Sequence, residues 1–275
     1  MNITPVVKQL LIINIIIYVG SNIIGDMAYQ LFSQYYPSNP NFRFWQPLTA
    51  MFMHAPVYKG VAGNLMHIVF NMFALVSFGS ALEHYWGGKK FLFFYISCGI
   101  GAALLYSGVN YLQIQYALNQ ISDLNLSKAD LHVLLSADYS TVFDANGQLV
   151  AGKVTDILSS ANFSSEQFKT LSEAIQIYKG TALGASGAIY GLLIAFAFMF
   201  PTAELGIMFI PVPVKAKYFV PGLLVVDLVL GLKGNSIFGA GGTGIAHFAH
   251  LGGALTGFIM MWYWKKNQFN NNRWN

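Results

Sequence analysis

The sequence predicts an all-α membrane protein: six transmembrane helices, with a soluble insert between the third and the fourth. Three observations lead there. The 275 residues are 55% hydrophobic and only 9% charged, against about 25% charged in a soluble domain. The apolar residues gather in six runs of roughly 18–22 residues, about the length that crosses a hydrocarbon core. One stretch, about 113–180, breaks the pattern and holds seven of the 11 acidic residues.

The first span, about 6–26, has Lys8 as its basic flank and no Ala-x-Ala cleavage pattern. It reads as an uncleaved anchor rather than a signal peptide. The second, about 63–83, opens with His67-x3-Asn71. The third, about 91–112, contains Cys98, the one cysteine, so no internal disulfide can form. In the insert, Ser164-Ser165-Glu166-Gln167 precedes Phe168, Leu171, Ile175 and Tyr178, the pattern of a capped amphipathic helix. Asp144-Ala145-Asn146-Gly147 reads as a turn. The fourth span, about 181–200, opens with Gly184-Ala185-Ser186-Gly187, and the fifth, about 216–233, has Asp227 near its middle. The sixth, about 245–264, opens with Ala249-His250-Leu251-Gly252-Gly253. Its Gly253-x3-Gly257 spacing permits close helix approach. The expected organisation is therefore 1–112, 113–180 and 181–275 within one domain overall.

Trp45, Trp86, Trp262 and Trp264 fall near span ends, where indole rings favour the headgroup region. Lys8, Lys89, Lys90, Lys215, Lys217, Lys265, Lys266 and Arg273 share one side of the expected bundle. Arg43, Lys59 and Lys233 lie on the other side with the insert. The positive-inside rule puts the first side, with both termini, in the cytoplasm. The net charge of +4 is scattered at span ends and marks orientation, not a nucleic-acid surface. The expected partner at this level is the lipid bilayer.

With that orientation, spans two, four and six run inward from the outer face. His67, Ser186 and His250 each sit a few residues along them, about 6–9 Å below the outer boundary at ~1.5 Å per residue. Each residue alone has an ordinary structural reading, in packing or in reaching the interface. Their shared depth favours a common site. Ser186 needs a base to take its hydroxyl proton, and the neutral imidazole of His250 suits that role. Asp227 and Glu83 are both expected away from the depth of His250, so no third, acidic member is assigned. His67 and Asn71, four apart on one helix face, and the free N–H of Ser186 can donate to an oxyanion. Tyr190, one turn after Ser186, either stacks on His250 or packs the bundle.

Gly-Ala-Ser-Gly followed by Tyr190, His67-x3-Asn71, and Ala249-His250-x2-Gly253-x3-Gly257 resemble the rhomboid family of intramembrane serine proteases. Leu82-Glu83, Gly87-Gly88-Lys89-Lys90-Phe91 and Pro211-Val212-Pro213-Val214-Lys215-Ala216-Lys217 resemble bacterial members. The resemblance covers spans two to six. It implies a six-helix rhomboid-like bundle with a water-filled cavity open to the outside, a Ser–His dyad without an acid, Ser186 as nucleophile, His250 as base, His67 and Asn71 as oxyanion donors, Tyr190 as stacking partner, and transmembrane proteins as substrates. The glycines on both sides of Ser186, Gly184 and Gly187, leave room for a substrate backbone. No cofactor and no metal are implied. Two features depart from the family. Trp45-Gln46 stands where many members have Trp-Arg, and the loop after His54 is longer than in compact members. The acidic insert also lies outside the minimal family core.

Two other patterns carry little. Gly239-Ala240-Gly241-Gly242-Thr243-Gly244 matches a dinucleotide fingerprint but follows no strand and precedes a span. His54, His67, His247 and His250 form a conceivable metal set, yet two of them are already used by the serine chemistry. The expected function is proteolysis of single-span proteins near the outer face of a bacterial cytoplasmic membrane. A non-catalytic client binder of the same fold and a transporter are the rivals. The first should lack Ser186 or His250, and the second should spread polar groups over several depths.

Overall fold

A computed structural model describes residues 2–57, 63–139, 141–142, 150–207, 210–233 and 245–268. The chain forms two compact units. One comprises Met1–Gln34, Arg43–Tyr106 and Ala182–Asn275; the other comprises Tyr35–Phe42 and Ser107–Thr181.

The first unit begins with α1 (Pro5–Ile24), ended by Gly25 at φ 78°, and α2 (Asp26–Phe32). Proline at the start of α1 costs nothing, because its missing N–H has no helical partner there. The next two N–H groups, of Val6 and Val7, donate to the Glu83 carboxylate at 2.9 Å each, and Thr4 donates its hydroxyl to the same group. The short α3 (Gln46–Thr49) lies against the end of α2. There Trp45 Nε1 donates to the Leu31 carbonyl at 2.9 Å, Gln46 Nε2 to Gln30 at 3.2 Å, and Thr49 Oγ1 to Phe32 at 2.9 Å. These are last-turn carbonyls with no partner inside α2. Trp45-Gln46 thus ties this loop to a helix end, with glutamine in the position of the family arginine.

The second span is α4 (Gly63–Ala74), a π-helical turn at Leu75–Gly79, and α5 (Ser80–Trp86). Next comes α6 (Gly88–Gln120), 33 residues long, which outruns the expected 91–112. Its extra turns are explained by use: Ile114 and Ala117 are buried in the second unit's core.

That second unit adds α7 (Lys128–Ser136), α8 (Lys153–Ser160) and α9 (Ser165–Lys179). Capping boxes open α7 at Ser127/Asp130 and α9 at Ser164/Gln167, the latter as the sequence suggests. Leu134, Ile157 and Leu171 fill one apolar cluster; Tyr36, Leu135, Ala174 and Tyr178 fill another. Phe168, expected on the buried face of α9, is exposed instead. The expected turn at Asp144–Gly147 lies outside the described residues.

The first unit resumes with α10 (Ser186–Met199). The expected span at 181–200 is trimmed at its start for a local reason. Ala182 pairs with Gln34 in an isolated antiparallel bridge, and the Gly184 N–H donates to the Ala50 carbonyl at 2.9 Å. Gly184 has φ +120°, which no helix accommodates. Ser186 is therefore the first helical residue, not one several residues into a span. Strands β1 (Glu204–Ile207) and β2 (Ile210–Lys215) pair antiparallel as a hairpin. Then follow α11 (Ala216–Lys233) and α12 (Ile245–Gln268); the Gly239–Gly244 run lies outside the described residues.

Among the described residues, three helices are long and apolar enough to cross a bilayer: Pro5–Ile24, Leu65–Trp86 and Gly88–Gln120. Helix α10 is apolar but has 14 residues, about 21 Å at ~1.5 Å per residue. Helices α11 and α12 carry the buried Asp227 and His247.

Candidate active site

The site begins with glycines. A Cβ added to Gly253 of α12 would lie 1.8 Å from the Gly187 carbonyl oxygen of α10, and one on Gly257 would lie 2.8 Å from the Gly191 Cα. Those two helices therefore touch backbone to backbone over one turn. Helix α6 closes the other side: a Cβ on Gly187 would meet that of Ala102 at 2.5 Å, and one on Gly191 would meet Cys98 Sγ at 2.3 Å. In lipid, apolar area alone does not drive helices together, and close packing of small residues takes over that role. Ser186 directly precedes Gly187, and His250 lies just before Gly253. The seam that joins the helices thus delivers one side chain to the other.

His250 Nε2 lies 2.8 Å from Ser186 Oγ. Tyr190, one turn along α10, stacks on the His250 ring with centroids 4.4 Å apart and planes 12° from parallel. That contact holds the imidazole plane, so the ring does not swing away from the hydroxyl.

His67 on α4 approaches the same place beside Gly184. Its Nδ1 accepts the Ala55 N–H at 3.2 Å. The neutral ring then carries its proton on Nε2. That atom faces Gly184: a Cβ there would sit 2.9 Å from His67 Nε2 and 3.6 Å from Ser186 Oγ. Glycine is needed at 184 twice, for its φ and for this space. Behind His67 lies His54, fully buried, with ring centroids 5.2 Å apart. Burial, followed by the neighbouring His67, pushes the His54 pKa down to about 3. Asn71 is one turn beyond His67 and donates Nδ2 back to the His67 carbonyl at 2.7 Å. One of its two amide hydrogens is thereby used within the helix.

The structure also brings in a residue that sequence reasoning set aside. Asp227 of α11 was expected away from the depth of His250, but its Oδ2 lies 3.3 Å from His250 Nδ1. Its Oδ1 is hydrogen-bonded to His247 Nδ1, and Tyr190 bonds to the same carboxylate. The approach is local. Gly231, one turn after Asp227, has no side chain to hold His247 off, and a Cβ there would lie 3.2 Å from the His247 Cβ. The available signal was the i, i+3 spacing of His247 and His250, which puts both rings on one face of α12. Asp227, His247 and His250 have their ligand atoms within 4.8 Å of one another, a set that could also hold a divalent ion. The four histidines of the conceivable metal set are divided: His54 lies against His67 with the rings tilted 42° apart, while His247 joins His250 and Asp227.

Fold and site together define an integral membrane protein with a hydroxyl–imidazole pair at a glycine seam. Residues 41–116 and 147–267 match the family model of the rhomboid domain, and the chain belongs to the rhomboid family. It is 26% identical over 190 residues to an uncharacterised mitochondrial rhomboid protein of Schizosaccharomyces pombe. The match takes in 69% of this chain and 43% of that relative, so the chain spans less than half of the relative's length.

Proposed function

We propose that this protein is a serine endopeptidase that cleaves single-span membrane proteins near the outer face of the membrane. The observation that carries the reading is the 2.8 Å hydrogen bond between Ser186 Oγ and His250 Nε2, with Tyr190 stacked on the imidazole. His250 takes the hydroxyl proton as Ser186 Oγ attacks the scissile carbonyl carbon, then gives that proton to the leaving amine. Water, activated by the same imidazole, releases the acyl group. The oxyanion is met by His67 Nε2–H and by the Ser186 N–H at the first turn of α10. Asn71 contributes its remaining amide hydrogen.

A substrate helix must enter sideways and open locally, because a helical amide is hydrogen-bonded and shielded. Small residues near the scissile bond and Gly or Pro below it supply that instability. The accompanying topology has six spans, both termini in the cytoplasm of a bacterial cell and the insert outside. The chemistry needs no cofactor. A client binder has no use for a hydrogen-bonded serine–histidine pair, and the buried Asp227 that a transport route would recruit is engaged with His247 and His250.

The test is cleavage of a single-span substrate by the purified protein. Ser186→Ala and His250→Ala should each abolish it in protein that stays folded. Cleavage within ~2–3-fold of the wild-type rate in Ser186→Ala would remove the nucleophile assignment. In the same assay His67→Ala should lower kcat by about 10²–10³, the scale for one oxyanion donor, with little change in KM. Asn71→Ala should lose less, since one of its hydrogens is bound to the His67 carbonyl.

A further inference from the structure

Asp227 takes no part in the steps just described, yet the fold spends two histidines and a tyrosine on it. Its side chain is 1% exposed. An acidic group in an apolar helix is costly unless its oxygens are paired, and here they are. One oxygen faces His250 Nδ1 at 3.3 Å, the other is bonded to His247 Nδ1, and the Tyr190 hydroxyl reaches the same carboxylate. A carboxylate only accepts hydrogen bonds. The neutral His250 ring must therefore carry its proton on Nδ1, which leaves the lone pair on Nε2. That is the atom 2.8 Å from Ser186 Oγ.

We infer that Asp227 is a positioning residue for the base. It selects the His250 tautomer that can accept the serine proton, while His247 holds the second carboxylate oxygen and keeps the acid from rotating away. The inference rests on the proposed serine–histidine chemistry. Its proton balance is simple. The proton leaves Ser186 Oγ for His250 Nε2, the ring becomes an imidazolium beside an Asp227 that stays ionised, and Nε2 returns the proton to the leaving amine. Tyr190 then has two contacts with one purpose: its ring face fixes the plane of His250, and its hydroxyl fixes the acid behind it. Side chains from α10, α11 and α12 thus meet in one line, with Asp227 orienting the base, where the sequence alone supports a pair.

A purely structural role, pinning α11 to α12, makes different predictions. In purified full-length Asp227→Asn with thermal stability near wild type, kcat should fall by about 10²-fold or more, since the corresponding change in soluble triads costs about 10⁴. KM should stay within ~3-fold, and Asp227→Glu should recover part of the loss. A folded Asp227→Asn protein with wild-type kcat would overturn the inference. A second measurement needs no variant at Asp227. In ¹⁵N-histidine spectra of the wild type near neutral pH, with His250 identified by its loss in His250→Ala, the proton should reside on Nδ1. A proton on Nε2 would overturn the inference even if Asp227→Asn fails to fold. Ser186→Ala separates the two levels: cleavage retained there defeats the serine chemistry itself, whereas a dead Ser186→Ala beside a fully active Asp227→Asn defeats only the role of the acid.

Discussion

The seam between α10 and α12 and the core of the insert are built on opposite rules. At the seam the contacts are backbone to backbone, through Gly187, Gly191, Gly253 and Gly257. In the insert they are side chain to side chain, through Leu134, Ile157, Leu171, Ala174 and Tyr178, on helices opened by capping boxes. Each kind of packing matches a different driving force. Water rewards burial of large apolar groups at about 25 cal/mol per Å², whereas lipid does not distinguish a leucine on the surface from one inside. The membrane helices gain instead from close approach, and close approach is what sets a 2.8 Å hydrogen bond between residues on two helices. In the seam the smallest residues fix the geometry; in the insert the largest do.

The greatest effect should come from adding atoms to the seam. Gly253→Val puts a branched side chain where even a Cβ would lie 1.8 Å from a backbone oxygen that cannot yield. Cleavage should be lost, and labelling of Ser186 by a fluorophosphonate should be lost with it. Near-normal labelling would show that the helices can separate without losing the site, and the seam would not be what aligns Ser186 with His250.

Removing atoms should matter most in the insert. Leu171 is 1% exposed in its cluster, and Leu171→Ala should destabilise that unit by about 2–5 kcal/mol. Limited proteolysis with and without denaturant reads this directly. Protection as strong as in the wild type would mean that the insert is not held by its apolar core.

The mildest test varies pH alone. His54 sits next to His67 with no hydrogen-bond partner for either ring nitrogen among the described residues. Its folded pKa is held down to about 3 by burial and by His67, against about 6.5 in an unfolded chain. The unfolded state therefore binds the proton first as pH falls. Stability from this group is intact above pH ~6.5 and drains away between pH ~6.5 and ~3. His54→Gln should flatten that part of the thermal-stability profile, and an unchanged slope would place the acid sensitivity elsewhere.

Much of this could be read from residue order. The first three spans follow from hydropathy, the α9 cap from Ser164 and Gln167, and the contacts among Ser186, His250 and Tyr190 from chemistry, spacing and family resemblance. Asp227 could not be placed, because depth was counted within each span from hydropathy ends, which are uncertain by a turn, and Asp227 reaches His250 from the neighbouring helix. The helical start at Ser186 was missed because it is set by distant partners, Gln34 and Ala50. The role of Gln46 was hidden for a similar reason. It depends on free carbonyls at the end of α2, which no motif records.

Glu83 has a consequence for how the chain is made. Its carboxylate receives the Thr4 hydroxyl from a position 79 residues away in sequence, together with the Val6 and Val7 N–H groups. During synthesis α1 leaves the ribosome well before Glu83 exists as a partner. Until then those first-turn amides have only water or headgroup oxygens to bond. Helix α1 must therefore form as an unfinished element, with its N-terminal end still wet. Arrival of α5 completes it, so the first two spans are locked together from the second one back to the first, against the direction of translation.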